Sequence, residues 1–317
     1  MEIYFPDTIN QNLMLEALRF WVMEYHVDGF RLMGANLPIR AMAQDLILCR
    51  SKLFADTIPE DLLEQDYAYP HLFVYRDEFY YPLRKMLNHK EICLTDFVNQ
   101  MRKQKKHAGF VNYAASNDGF TLADVFMYSE KHNEANGENN ADGNDWNYSD
   151  NYGIEGPTRK KYIESLRKKQ LRNAVLLLML SQGTPLLLAG DEFGNSQDGN
   201  NNAYCQDNEI SWLNWNNQKT NADQLEFVKH AIAFRKEHPV FHQPTEPKLM
   251  DSLACGQPDV SYHGISAWKP EFDNFRRQFG ILYCGDYARK ADGTPDDTFF
   301  VIYNMHWEPH EFALPTL

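Results

Sequence analysis

Residues 26–35 read HVDGFRLMGA, and the placement of this stretch decides the fold. Val27 leads into Gly29, Phe30, Arg31 and Leu32, a short segment of strand composition. Directly upstream, NLMLEALRFWVMEYH has Leu13, Leu15, Leu18, Trp21 and Val22 at helical spacing, which predicts an amphipathic helix. Downstream the alternation repeats. IRAMAQDLILCR and KLFAD read as helix and strand, HLFVYR as a third strand, DEFYYPLRKML and LTDFVNQMRKQ as helices, and GFVNYAAS as a fourth strand. RKKYIESLRKKQLRNAVLLLMLSQ is a long helix with a basic face, followed by PLLLAG as a fifth strand. Short apolar strands alternating with helices predict an α/β chain whose parallel strands are buried on both sides. The pattern changes near residue 245, where SYHGISAW, FGILYCGDYA and TFFVIYNMHW predict antiparallel strands. The expected domains are 1–245 and 246–317.

Composition narrows the function. The 317 residues are 43% hydrophobic and 14% aromatic, enough for a sizeable core. Lys and Arg number 31 against 44 Asp and Glu, a net charge of −13. Such a surface repels phosphate backbones and anionic lipid, so neither nucleic acid nor a membrane is expected as a partner. A neutral sugar is compatible with it. Cys49, Cys93, Cys205, Cys255 and Cys284 are dispersed and form no C-x-x-C pair, which predicts reduced thiols in the cytoplasm, with no metal and no cofactor. The opening MEIYFPDTINQN lacks a basic segment followed by an apolar one, so no signal peptide is expected. The run AVLLLML at 174–180 is too short to span a bilayer.

In parallel β/α architectures the reacting groups gather at the C-terminal ends of strands. Those ends carry Arg31 and Met33, then Asp56, then Asn117 and Asp118, then Asp191 and Glu192. Several acids at one mouth suit glycoside cleavage, which pairs a carboxylate nucleophile with a carboxylic acid donor. Each acid alone reads equally as a helix cap or a loop residue. Residues 128–158 are rich in Asn, Asp and Gly. They form either a solvent loop or a sugar-binding wall, in which Tyr128, Trp146, Tyr148 and Tyr152 would stack on rings and the amides would bind hydroxyls. His26, His71 and His107 read as strand-flanking residues.

Four stretches carry a wider likeness: LRFWVMEYHVDGFR, VNYAASNDGFTLADVFMYSEKHNEANGENN, DGNDWNYSDNYGIEGPT and LSQGTPLLLAGDEFGNSQDGNNNAYCQDNEISWLNW. On them the chain resembles the alpha-amylase superfamily (glycoside hydrolase family 13), and within it the isoamylase and glycogen debranching group. FVIYNMHWEPHEFALP resembles the start of that group's C-terminal β-domain. The resemblance implies a partial (β/α)8 TIM barrel, strands four to eight, followed by the start of an antiparallel β-domain. It implies α-glucan (glycogen or maltooligosaccharide) as ligand and hydrolysis of α-1,6 branch linkages as the family reaction. The family's nucleophile position falls on Met33, its proton donor on Asp56, and its third acid on Asp118, preceded by Asn117 where a His is usual. Arg31 and Asp118 match the pattern. Asn117, Tyr128, His132, Asn133, Glu134 and Trp146 are the implied substrate contacts.

A thioether has no anionic oxygen to attack an anomeric carbon, and Asp56 is one methylene shorter than Glu. Arg31 also lacks its usual carboxylate neighbour and needs another partner. The expected function is therefore a debranching-type chain that is inactive and glucan-binding. The alternatives are an active α-1,6-glucosidase completed by a partner chain, or a scaffold without glucan affinity. Strands one to three of the barrel are missing from the likeness, so a homo-oligomer or partner chain is expected to cover the open sheet edge.

Overall fold

In the computed structural model, which describes residues 7–34, 36–64, 69–105, 108–273 and 276–316, the first helix is seated by a stripe rather than by its whole apolar set. His107 lies outside the described residues. In α1 (Asp7–Tyr25), Leu15, Leu18 and Val22 fall at i, i+3 and i+7 and pack on one core. Leu13 and Trp21 lie off that stripe and are exposed, and Trp21 packs instead on Tyr25 at 4.7 Å between ring centroids.

The chain continues through β1 (Gly29–Leu32), α2 (Ile39–Ala43), β2 (Lys52–Ala55), α3 (Glu60–Glu64), β3 (Leu72–Tyr75), α4 (Asp77–Leu87), α5 (Leu94–Arg102) and β4 (Gly109–Tyr113). Then come α6 (Lys161–Met179), β5 (Thr184–Leu186), α7 (Asn217–Thr220), α8 (Ala222–Glu237), β6 (Val260–His263), β7 (Gln278–Tyr283) and β8 (Phe299–Asn304). The first five strands form one sheet in the order β1-β2-β3-β4-β5, with β1 to β4 paired in parallel. The last three form an antiparallel sheet with β7 central and wholly buried. This is an α/β fold.

Two compact units are present. The first comprises Met1–Arg76, Gln104–Val111 and Pro244–Glu246. Its strands are not buried on both sides as their composition predicts. One face, with Leu32, Leu53, Ala55 and Leu72, packs with α1 and α2 into the core. The other carries Arg31, Phe54, Phe73 and Tyr75, which are only half-buried. Phe54 stacks on Phe73 at 4.8 Å, so aromatic pairing across strands, rather than helix cover, shields this face. Gly109 sits beneath the Phe73 ring, where an added Cβ would come within 2.4 Å of it.

The second unit comprises Asp77–Lys103, Asn112–Gln243 and Pro247–Leu317. Phe79, Phe97, Phe120, Phe126 and Phe241 centre its core, with Leu171, Val175 and Leu178 of α6. PLLLAG is strand only over its first residues, since β5 ends at Leu186. Three arginines are buried here and bind carbonyl oxygens rather than acids. Arg84 donates to Ala114 (2.8 Å), Asn147 (3.2 Å) and Phe120 (3.0 Å). Arg167 donates to Gly156 and Asn151, both at 2.7 Å, and to Ile154. Arg235 donates to Met179 (2.5 Å), Ser181 (2.7 Å) and Gly183 (2.6 Å). Burial lowers all three pKa values, that of Arg235 to about 10, which leaves Arg235 charged near neutral pH.

Asp124 is a buried acid with a similar task. It accepts from Ser196 Oγ and from the Gln197 amide at 2.8 Å, tying the segment after β5 to the segment after β4. Burial pushes its pKa up to about 6, against the pull of these donors.

Two outcomes follow from these groups. Arg84→Met strands three buried carbonyls and is expected to cost at least about 3 kcal/mol in urea unfolding; a cost near zero would mean the carbonyls find other donors. For Asp124 the folded pKa lies above the unfolded one, so its contribution is complete below about pH 4 and is lost as pH rises through about 6. Asp124→Asn keeps one acceptor and is neutral throughout. Its stability relative to the parent protein should therefore rise between those pH values and then level off, by up to about 3 kcal/mol, read from melting curves across pH.

Candidate functional site

The end of β1 explains where Arg31 finds its charge partner. Its guanidinium lies 3.6 Å over the Tyr75 ring, and Nη2 donates to Asp56 Oδ1 at 2.5 Å. Arg31 and Phe54 are register partners on the parallel pair β1–β2, so Asp56, two residues beyond Phe54, stands one step past the arginine on the same face. Nε and Nη1 of Arg31 are buried without a hydrogen-bond partner. Met33 directs its side chain to solvent, 61% exposed. Beside these strand ends is a cleft of about 330 Å³ lined by Leu32, Asn36, Leu37, Asp56, Thr57 and Pro59. The first unit thus brings Arg31 and Asp56 together and leaves Met33 beside them with no carboxylate.

In the second unit, Asn117 and Asp118 form an exposed turn after β4. The Asp118 amide faces Ser116 Oγ at 3.3 Å, and Gly119 completes the turn at φ +99 with its amide on the Asn201 carbonyl. A tyrosine cluster that sequence reading overlooked borders this unit's strand end. Tyr80 stacks on Tyr113 at 4.8 Å, and the Tyr113 hydroxyl donates to Asp77. Burial raises the Tyr80 pKa, and Asp118 is among the charges acting on it. The signal available was the doubled tyrosine of DEFYYP, immediately after the third strand.

The 128–158 segment has a defined shape, set by its side-chain amides. Asn133, fully buried, donates from Nδ2 to Asp142 O (2.9 Å) and Asn201 Oδ1 (2.8 Å), and its own Oδ1 accepts the Asn201 amide at 2.9 Å. Asn201 Nδ2 reaches Asn144 O and Asn147 Oδ1. Asn136 donates to Asp142 Oδ2 (2.8 Å) and accepts from Asn200 and Gln206. These bonds stitch the loop to residues 200–206.

Tyr128 is buried against Phe120, with the His132 ring edge-on to it, and His132 Nε2 is 3.1 Å from Glu155. Tyr128, His132 and Asn133 therefore support the loop from within. Glu134 opens a short 3-10 turn at the surface. Trp146 is 68% exposed and pairs with Tyr148 at 6.4 Å, while Tyr148 meets Tyr81 at 5.7 Å and lies under Lys85 Nζ at 4.5 Å. Trp146 is the ring in this run most available for sugar stacking.

Asp191 and Glu192 both accept backbone amides, Asp191 from the segment after β4 and Glu192 from its own turn. Asp191 is buried, accepts the Leu122 amide at 2.9 Å, and has its pKa pushed up to about 7 by burial. Glu192 accepts the Gly190 amide at 2.8 Å. Among the described residues, two groups could hold a metal ion: His238, Asp296 and Asp297, and Cys255, Cys284 and Asp286. No helix among the described residues is long and apolar enough to cross a membrane.

No family model matches the chain. Its sequence is 34% identical to a glycogen operon protein GlgX homolog of Mycobacterium bovis, over 98% of this chain and 47% of that protein. It is 39% identical to a glycogen debranching enzyme of Klebsiella pneumoniae, over 71% of this chain and 37% of that protein. The chain spans about half the length, or less, of these curated relatives. Its fold is that of pullulanase from Bacillus acidopullulyticus, with a TM-score of 0.64 at 18% identity, covering 97% of this chain and 36% of that one. Pullulanase from Paenibacillus barengoltzii, solved with maltohexaose and alpha-cyclodextrin, matches at a TM-score of 0.64 and 20% identity, over 94% and 44% of the two chains. By sequence and by fold, the chain belongs to the isoamylase and glycogen debranching group of the alpha-amylase superfamily.

Proposed function

We propose that this chain is a debranching-type α-glucan-binding protein of glycogen or starch metabolism that does not itself hydrolyse the α-1,6 linkage. One observation carries the reading. Where the group places its nucleophilic carboxylate, the chain has the solvent-facing thioether of Met33, and Arg31 has turned its guanidinium to Asp56. Retaining hydrolysis needs a carboxylate to form the glycosyl intermediate and an acid to protonate the leaving oxygen. The first is missing, and the residue at the second position is engaged by a cation.

Affinity for glucan is supported by the shaped loop and its exposed Trp146 ring. Neutral sugars are bound by stacking on aromatic faces and by amide and carboxylate hydrogen bonds. Trp146, Glu134 and Asn117 present such groups at the surface of the second unit, and Asp118 adds a carboxylate there. In this reading the five parallel strands correspond to barrel strands four to eight in residues 1–245. Residues 246–317 begin the β-domain, a homo-oligomer or partner chain covers the free sheet edge, and the protein works in the cytoplasm.

Calorimetry with glycogen and maltohexaose, with a reducing-sugar assay on the same sample, tests it. Weak binding without release of reducing ends is expected, and Trp146→Ala should weaken binding about fivefold, the equivalent of roughly 1 kcal/mol of ring stacking. Release of linear chains by the unaltered protein, abolished in Asp118→Asn, would show a working glucosidase. No binding of either ligand would leave only a scaffold.

A further inference from the structure

Away from the strand-end residues, the loop before β6 meets the end of β7 in the second unit. The side chains of Cys255, Cys284 and Asp286 converge there, with their two sulfurs and a carboxylate oxygen all within 4.8 Å of one another. Cys284 follows directly on β7, its side chain buried and its amide bound to the Asp259 carbonyl at 3.0 Å. Asp286 lies two residues on, in the short 3-10 turn Gly285–Tyr287, and is exposed. Cys255 comes from the exposed loop 249–257.

That loop is shaped in advance. Asp251 accepts the Cys255 amide at 3.0 Å, the Gly256 amide at 2.8 Å and the Tyr287 hydroxyl at 2.9 Å. The same hydroxyl lies 3.1 Å from the Gln257 carbonyl, and its bond to Asp251 ties the loop to the β7 turn. Neither cysteine depends on the other to hold its position.

We propose that Cys255, Cys284 and Asp286 form a binding site for a thiophilic divalent cation of the zinc class. Two thiolates and one carboxylate are a donor set for zinc rather than for magnesium or calcium, which take oxygen ligands. Around a tetrahedral ion with sulfur at about 2.3 Å, ligand atoms stand roughly 3.6–3.8 Å apart. The observed triangle reaches that size with shifts of an ångström or less. Each thiol releases its proton to solvent on binding, so affinity rises with pH. Three protein ligands leave a fourth position for water, and the exposed Cys255 and Asp286 give the ion its way in. The Tyr287 hydroxyl, 3.9 Å from Cys255 Sγ, borders this position.

The other group of possible ligands shows the contrast. At His238, Asp296 and Asp297 a protein cation is already in place, since Lys290 Nζ lies 2.8 Å from Asp297 and 3.8 Å from Asp296. Asp296 also accepts His238 Nδ1 and the Val240 amide. Among the described residues no ion pair to Asp286 is present. A disulfide between the two cysteines would leave Asp286 without a role at the triangle.

Cobalt(II) titration of the full chain, reduced with a phosphine and freed of metal by a chelator, tests the site. One equivalent should bind with a sulfur-to-cobalt charge-transfer band and a tetrahedral visible spectrum, and zinc should displace it. Cys255→Ser and Asp286→Asn change exposed side chains. Each should weaken binding by roughly 10–100-fold or more, with the charge-transfer band reduced only in the first. Cys49→Ser should change nothing. The proposal fails if no equivalent binds at micromolar cobalt or zinc, or if binding survives both ligand variants unchanged. It also fails if thiol counting shows Cys255 and Cys284 already joined as a disulfide under these reducing conditions.

Discussion

A buried guanidinium with no carboxylate beside it has to find its acceptors in the backbone, and the second unit is built around three such groups. Leaving water costs a charged side chain several kcal/mol unless every donor is engaged. Arg84, Arg167 and Arg235 approach that condition by donating to three carbonyls each, with Nε of Arg167 left without a partner, and all nine carbonyls belong to loops or helix ends. The exchange works in both directions. The cation is satisfied only when the loops hold one course, and the loops hold that course because the cation has nowhere else to turn. Segments without regular secondary structure thereby acquire the definition usually supplied by a sheet.

The amides of the 128–158 segment extend the same principle without charge. An Asn side chain presents two donors and one acceptor oxygen with two lone pairs, and a buried Asn is tolerated when they are engaged. Asn133 and Asn201 answer one another reciprocally, and Asn136, Asn200 and Gln206 continue the chain of bonds. The exposed Trp146 ring is thus carried on a segment whose course is fixed by its own side-chain amides.

Sequence periodicity located the elements well because it reports burial. Strands one to four and helices α4, α5 and α6 fall where their apolar runs lie. It failed where burial was not the governing factor. Lys52 is exposed within a strand expected to be buried, β5 begins one residue before PLLLAG at the exposed Thr184, and Phe54, Phe73 and Tyr75 are shielded by one another instead of by helices. The resemblance put the family's nucleophile position on Met33, but the contact of Arg31 with Asp56 was not legible in the sequence. It depends on the register of two parallel strands more than twenty residues apart. Composition alone did not reveal that the Asn-rich segment is stitched to residues 200–206, because no window of sequence shows that residues 133 and 201 meet. The clustering of Cys255 with Cys284 was invisible for the same reason, and dispersed cysteines predicted no joint site.

The amide network also sets how this protein ages. Asn136 precedes Gly137, the pairing in which an Asn side chain is most easily attacked by the following backbone nitrogen and converted to Asp or isoaspartate. That attack needs a side chain free to rotate and a free amide. Here the side chain is held at both ends, and the Gly137 amide is bonded to the Glu134 carbonyl. Folding therefore slows the chemical clock at this position. Once the clock runs, it cannot be reset by refolding, because the new carboxylate would face Asp142 where an amide had donated, and two like charges would then occupy the seam between the loops.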